Sequence, residues 1–378
     1  MRLMRTASAP FEKTPKQCVK EVTPRSGRKI GAGKQVLFSV VLVVGLLGTA
    51  EAVVRVWALY FRTAYEQYNS RTGRLELRPN IRYANARGQE FHINSKGFVG
   101  PEFADRPAPG VYRIIALGDS CTFATGFWQI GYPFQLERQL NKDAGSRRFE
   151  VINAGIEGYN STFALDRIRD ELLRYQPNLV IIYIGWNDLM KTDPANAARV
   201  DEHAWLAELL DRSYLIRAYK KLLFVNLRPL VLRPAVEDSR TTTAFDHFVP
   251  VRYRTNLEAM VQLLTHQGVK PLLVTLPTVV QPRMTSEELK RANVFFPYFP
   301  GAYGVAPLLS LSRAYNRTII GVGREQGAEV VDLADHFEHT KDTTPYFWDT
   351  MHPNEQGGRV IAELLAERLR ALQAHGQL

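Results

Sequence analysis

Two cysteines in 378 residues, Cys18 and Cys121, are too few for a disulfide framework, so the fold must rest on its apolar core. With 45% hydrophobic residues the chain can build one large globular domain or two small ones. No internal repeat and no low-complexity segment is present, which removes the basis for a repeat architecture. Positive charge is also scarce where a nucleic-acid surface would need it. The formal net charge is +10, yet residues 1–35 carry nine Lys/Arg against only Glu12 and Glu21, a balance of +7. Everything after residue 35 therefore carries +3. The folded part is near neutral, the basic excess is a tail, and a nucleic-acid partner is not expected.

Directly after the tail stands an uncharged apolar run, residues 36–50, continued past Glu51 to residue 54. Nineteen residues of this kind lie within the range that spans a bilayer. Basic flanks stay on the cytoplasmic side, so the spacing predicts a transmembrane helix over 36–58 with the N-terminus inside. Trp57, Tyr60 and Phe61 fall where an interfacial aromatic belt would lie, and Glu51 and Arg55 are one helical turn apart. Two alternatives stay open. Ala50-Glu51-Ala52 matches a small-residue cleavage pattern, although a 35-residue leader is long for a signal peptide, and a buried helix of a soluble protein is the other. With an anchor, Cys18 and Cys121 lie on opposite sides of the membrane and cannot pair.

Residues 62–110 are polar, with Gly, Pro and Arg scattered through them, a short strand expected at 90–93 and a turn at 94–97; 59–110 read as a stalk and lead-in that packs on the domain. From 111 onward, strand-like apolar runs alternate with amphipathic segments, as expected for a parallel sheet covered on both faces. Helices are predicted at 132–140, 163–175 (capped by Ser161 or Thr162), 256–266, 308–326 and 360–372. Strands are predicted at 270–276 and 329–333. This alternating part runs over 111–374 and is interrupted by a helical insertion at about 190–251. Within it, 205–224 is apolar at helical spacing, either an extra helix packed on the domain or a membrane-surface lid.

The stretch 111–126, VYRIIALGDSCTFATG, organises the rest. An apolar run stops at Gly118-Asp119-Ser120 and delivers a serine to the carboxyl edge of a sheet, where open α/β sheets place ligands. VINAGIEG at 151–158 is a second run, ending in glycines, and VIIYIGWND at 180–188 is a third. Asp349-Thr350-Met351-His352 lies near the C-terminus. In this order the four stretches resemble the blocks of the SGNH hydrolases, the GDSL-type esterase and lipase family, over about residues 110–372. Cys121-Thr122 replaces the leucine of the family's literal name, at a variable position. The resemblance implies a three-layer α/β/α sandwich around a flavodoxin-like, five-stranded parallel sheet of order 2-1-3-4-5. It also implies that the oxyanion donors are the Ser120 and Gly158 backbone N–H groups and the Asn187 side-chain amide.

A serine hydroxyl needs a base to remove its proton as it attacks. Of eight histidines only His352 has an aspartate three residues earlier, so Asp349 can hold one ring nitrogen while the other faces Ser120. Asp119 and Asp188 are expected to support the loops. The cluster Asp332, Asp335, His336 and His339 has metal-like residue types but reads better as a solvated turn, and Cys121 reads as wall. No metal or organic cofactor is called for. The expected function is a serine esterase that removes a short acyl group, acetyl foremost, from a cell-envelope glycan or lipid through an acyl-serine intermediate. Phe127, Trp128, Trp186, Tyr346, Phe347 and Trp348 flank three of the four blocks and suit a sugar or a short acyl chain. Acyl transfer between envelope molecules by the same serine is one alternative, and a catalytically idle glycan-binding or assembly protein is another. Reporter fusions should place residue 20 in the cytoplasm and residue 378 outside, in the periplasm of a Gram-negative cell, and the protein should stay with membranes through a high-salt wash. A released fragment beginning at Val53 would instead identify a cleaved signal peptide.

Overall fold

A strand covered on both faces must be apolar on both, and that condition selects the central sheet. The computed structural model of the chain describes residues 31–60, 65–69, 72, 74–142, 148–191, 213–220, 245–296 and 304–378. Four short strands come first: β1 (Glu66–Asn69), β2 (Arg74–Leu77), β3 (Ile81–Ala84) and β4 (Glu90–Ile93). The main sheet follows, with β5 (Val111–Gly118), β6 (Arg148–Gly155), β7 (Leu179–Tyr183), β8 (Lys270–Val274) and β9 (Glu329–Val331). All five are parallel in the order β6-β5-β7-β8-β9, which is the 2-1-3-4-5 order expected. Every residue of β7 is buried, and so is every residue of β5 after Val111.

One charge sits inside that apolar strand. Arg113 is fully buried, and its guanidinium donates to Glu150 on β6 at 2.6 Å and to the carbonyls of Ala104, Asp105 and Tyr175. A buried guanidinium is tolerable only when its donors are used in this way. Helices cover both faces: Tyr132–Lys142 and Glu355–Ala374 pack together, and Ser161–Asp170, Val251–His266 and Val305–Gln326 form a second group.

Local chemistry moved several boundaries. The helix expected at 163–175 is two pieces, Ser161–Asp170 and a 3-10 turn Leu172–Tyr175, because Glu171 leaves helical geometry between them. Its N-cap is Asn160, whose side chain accepts from Phe163 N, and not Ser161 or Thr162. The last helix starts at Glu355 rather than 360, since Asn354 caps it by accepting from Gln356 N and Gly357 N. The helix expected at 308 starts at Val305, with Pro307 in its first turn, where a missing N–H costs nothing. β9 stops at Val331 because Asp332 turns to cap the next helix, Leu333–His339. Of the 205–224 segment, only residues 213–220, with the helix Tyr214–Lys220, lie within the described residues; the rest of it, and residues 1–30 of the basic tail, lie outside them.

The N-terminal helix, Ala32–Tyr60, contains a stretch, Ala32–Trp57, long and apolar enough to cross a membrane. Its 26 residues rise about 39 Å at 1.5 Å per residue, against about 30 Å of bilayer hydrocarbon. The residues ahead of the sheet are well packed: Leu77, Phe91, Ile93, Phe98 and Val99 are core residues, and Val99 bridges to Asn153 of β6.

The chain after β5 lies directly against the end of β6. A Cβ added to Gly155 would fall 2.2 Å from the Phe123 backbone nitrogen, and main chain cannot step aside as a side-chain tip can. Gly155→Ala should therefore destabilise the domain by about 1–3 kcal/mol or more, as an overpacked core site does. A melting temperature within about 1 °C of wild type would show that the two segments are not in such close approach.

Candidate active site

Register decides which residues meet. Gly118 of β5 pairs with Gly155 of β6 on one side and with Tyr183 of β7 on the other, so three strands end flush. Just past those ends come Ser120, Gly158 and Asn187. Ser120 opens a single helical turn, Ser120–Phe123, capped by Asp119, whose Oδ1 accepts from Cys121 N at 2.9 Å. Ser120 is half-buried, so part of the residue remains open to solvent.

Across the edge, the 349–352 loop brings the histidine to the serine. Ser120 Oγ and His352 Nε2 are 2.7 Å apart, and His352 Nδ1 lies 2.8 Å from both oxygens of Asp349. An Nδ1 held between two carboxylate oxygens must carry the proton, which leaves Nε2 to accept from the serine hydroxyl. Asp349 Oδ1 also accepts from the Met351 and His352 backbone N–H groups. Burial alone would push the carboxyl of Asp349 up, but these donors and the imidazole outweigh it and hold the group below the usual carboxylate range. For His352, burial works to lower the pKa. The hydrogen bond to Asp349 and its charge, with smaller effects of Asp119 and Glu157, prevail and leave it raised. Asp119 is different: full burial pushes it up to about 6, only partly offset by the Cys121 N–H and the nearby imidazole.

Sequence reasoning overlooked what holds this loop. Thr350 is fully buried; its hydroxyl donates to Phe295 O and accepts from Phe295 N, both at 2.7 Å. Its carbonyl accepts from Thr278 Oγ1 and Val279 N. Cys121, expected as wall, is buried and its Sγ donates to Met351 O at 3.4 Å, tying the serine turn to the histidine loop. A threonine between two catalytic-type residues carries no distinctive pattern, and its partners come from a segment more than fifty residues away.

On the second loop, Gly158 has φ +73°, a conformation that favours glycine, and a Cβ there would meet nothing within 4 Å. Gly158 is thus exposed, whereas Gly155 is enclosed against the serine turn. On the third loop, Asn187 Nδ2 donates to Tyr159 O at 3.0 Å, which orients the amide and leaves its second N–H free to donate elsewhere. Asp188 accepts from Ser161 N at 2.8 Å and Ser161 Oγ at 2.6 Å, joining the second loop to the third.

Of the flanking aromatics, Trp186 and Phe347 are core residues, Phe127, Trp128 and Tyr346 are half-buried, and Trp348 is 52% exposed. The Asp332 carboxylate is occupied by Asp335 N and Thr275 Oγ1, while His339 lies exposed on its helix beside Asp335. Among the described residues, no group of three or more His, Cys, Asp or Glu is placed to hold a metal ion.

The sequence profile of the GDSL-like Lipase/Acylhydrolase family matches residues 116–360. The chain is 24% identical over 274 residues to the GDSL esterase/lipase WDL1 of Oryza sativa subsp. japonica, covering 71% of this chain and 80% of that protein. It is 24% identical over 237 residues to the GDSL esterase/lipase CPRD49 of Arabidopsis thaliana, covering 62% and 71%. Among solved structures, the acetyl xylan esterase AlAXEase matches with a TM-score of 0.41 and 20% identity, over 68% of this chain and 98% of that one.

NMR titration of His352 should give a midpoint above the ordinary histidine value of about 6.5. Asp349→Asn should lower it, because the carboxylate that favours the imidazolium is gone while burial remains. A midpoint unchanged by Asp349→Asn would show that the carboxylate does not reach the ring.

Proposed function

Because this chain belongs to the GDSL-like lipase/acylhydrolase family and is a serine hydrolase of esters, we propose that it cleaves a short acyl ester of a cell-envelope glycan through an acyl-Ser120 intermediate. The observation that carries this reading is the continuous relay from Ser120 Oγ through His352 to Asp349, at 2.7 and 2.8 Å, on the open carboxyl edge of the sheet. In this reading His352 Nε2 takes the hydroxyl proton as Ser120 Oγ bonds to the ester carbonyl carbon. The carbonyl oxygen becomes an oxyanion, received by the Ser120 and Gly158 backbone N–H groups and the free N–H of Asn187. As the tetrahedral carbon collapses, its bond to the alcohol oxygen breaks, and His352 returns the proton to the departing alcohol. Water then repeats the sequence on the acyl-serine: His352 takes its proton, the acid is released, and Ser120 regains its hydrogen. Asp349 stabilises the imidazolium at both stages, and Asp119 and Asp188 hold the loops.

Two features favour a sugar as the acylated alcohol. Trp348, next to Asp349, presents an exposed aromatic face of the kind on which a pyranose packs, with Tyr346 half-buried two residues before it. The helix Ala32–Trp57 would anchor the enzyme with a cytoplasmic basic tail and the hydrolase part outside, where acylated envelope glycans are its immediate neighbours.

A fluorophosphonate probe should label the wild type at Ser120, and Ser120→Ala should abolish both labelling and hydrolysis. Asn187→Ala should lower kcat about 10²–10³-fold with a smaller change in KM. On the acid side, kcat/KM should fall as His352 gains its proton, with a midpoint above the ordinary histidine value. Acetyl, butyryl and octanoyl esters of one leaving group should give the highest kcat/KM for acetyl. A steady rise with chain length would replace the glycan reading with a lipid one, and labelling that survives Ser120→Ala would move the nucleophile elsewhere.

A further inference from the structure

The loop that carries Gly158 is held on both sides by residues from the antiparallel ribbon at the start of the folded part. β1 and β2 pair from Glu66 with Leu77 to Asn69 with Arg74, and Arg78 N closes the ribbon on Tyr65 O at 2.7 Å. Tyr65, immediately before β1, donates its hydroxyl to Glu157 Oε2. Its ring stacks on Phe123, in the turn that Ser120 opens, with centroids 5.2 Å apart. Burial and the adjacent carboxylate of Glu157 push the Tyr65 hydroxyl well above its ordinary value, so it stays a donor. On the far side of Gly158, the Tyr159 hydroxyl donates to Leu75 O of β2 at 2.6 Å. Arg74, buried beside it, pairs with Asp170 at the end of the following helix at 2.8 Å.

A Cβ at Gly158 would meet nothing within 4 Å, while its two neighbours, Glu157 and Tyr159, are both tied to the ribbon. Tyr159 does a second thing, since its carbonyl accepts from Asn187 Nδ2. The ribbon thus reaches two of the three donors assigned above to the oxyanion, one through Glu157 and Tyr159, the other through Tyr159 alone.

We propose that the β1–β2 ribbon is part of the catalytic apparatus, with Tyr65 and Glu157 as positioning residues that hold the Gly158 N–H and the Asn187 amide where the oxyanion forms. The proposal rests on the oxyanion hole of the preceding section. A donor must lie within hydrogen-bond reach of the charge that develops in the transition state, and displacement by a fraction of an ångström costs rate without costing ground-state binding.

The experiment uses the full chain in detergent with an activated acetyl ester as substrate, and compares kcat, KM and melting temperature across variants. Tyr65→Phe keeps the ring on Phe123 and removes only the hydroxyl. It and Glu157→Ala should each lower kcat about tenfold, less than removal of a donor outright, with KM changed less than about twofold. Glu157→Gln keeps an oxygen that accepts from Tyr65 and should retain kcat within about threefold of wild type. The proposal is overturned if Tyr65→Phe and Glu157→Ala both keep kcat within about twofold. It is equally overturned if kcat falls only together with a lower melting temperature and a raised KM, because the ribbon would then be scaffold alone. Ser120→Ala separates the two levels: hydrolysis surviving in that variant removes the oxyanion assignment and this proposal with it, whereas loss there with no effect at Tyr65 and Glu157 removes this proposal only.

Discussion

Parallel pairing of β5 with β6 on one side and β7 on the other, in a register that ends Gly118 level with Gly155 and Tyr183, is the constraint on which everything at the site depends. Side chains that must converge on one carbonyl carbon have to leave the sheet at the same height. A slip of one residue in either pairing would invert which face each side chain meets. The fit is tight enough that Gly155 has no room for a methyl group beside the serine turn. Apolar residues on both faces of β5 and β7 secure the register, and Arg113, paired with Glu150 across the β5–β6 seam, adds a polar lock within it.

Onto that edge the fold brings a loop from the other end of the chain. The segment from Asp349 to His352 is held by Thr350 to Phe295, Thr278 and Val279, and by Met351 to Cys121, so its geometry does not depend on the Asp–His contact alone. Three carboxylates near the site illustrate how environment separates chemically identical groups. Asp349 has strong donors and stays ionised, and Asp188 is engaged by Ser161. Asp119, fully buried with one backbone donor to Oδ1, is pushed up to about 6. The first fits the role of stabilising an imidazolium; Asp188 joins loop to loop, and Asp119 caps the turn that Ser120 opens.

The residues ahead of the sheet are structurally continuous with the site. Tyr65, Phe91 and Phe123 form an aromatic group in which two rings come from the lead-in and one from the serine turn. The segment read from its composition as a stalk and lead-in packing on the domain contributes core residues and contacts to the loop carrying Gly158.

Much of this was legible in the amino-acid sequence, for identifiable reasons. Continuous apolar runs such as those at 114–117 and 179–183 announce strands buried on both faces, and their alternation with amphipathic helices announces a parallel sheet. Ser120 stood out at the end of such a run and Asp349 with His352 as a distinctive pair, whereas Gly158 and Asn187 were singled out only by the resemblance of the four stretches to the family's blocks. Helix starts were less legible, since Asn160 and Asn354 cap through bonds that many polar residues could make, and two glycines masked the first turn of the last helix. What sequence alone determined is the main run of strands and helices from 111 onward and the residue types the four stretches offer, because these follow from apolar runs and local periodicity; the β1–β2 ribbon and the helix Leu333–His339 were not among them. Only the tertiary structure decided that Thr350, Cys121, Tyr159, Tyr65 and Glu157 hold the site in place. Their partners lie from tens to more than two hundred residues away, and no local pattern encodes a contact that exists only once the sheet has closed and its loops have met.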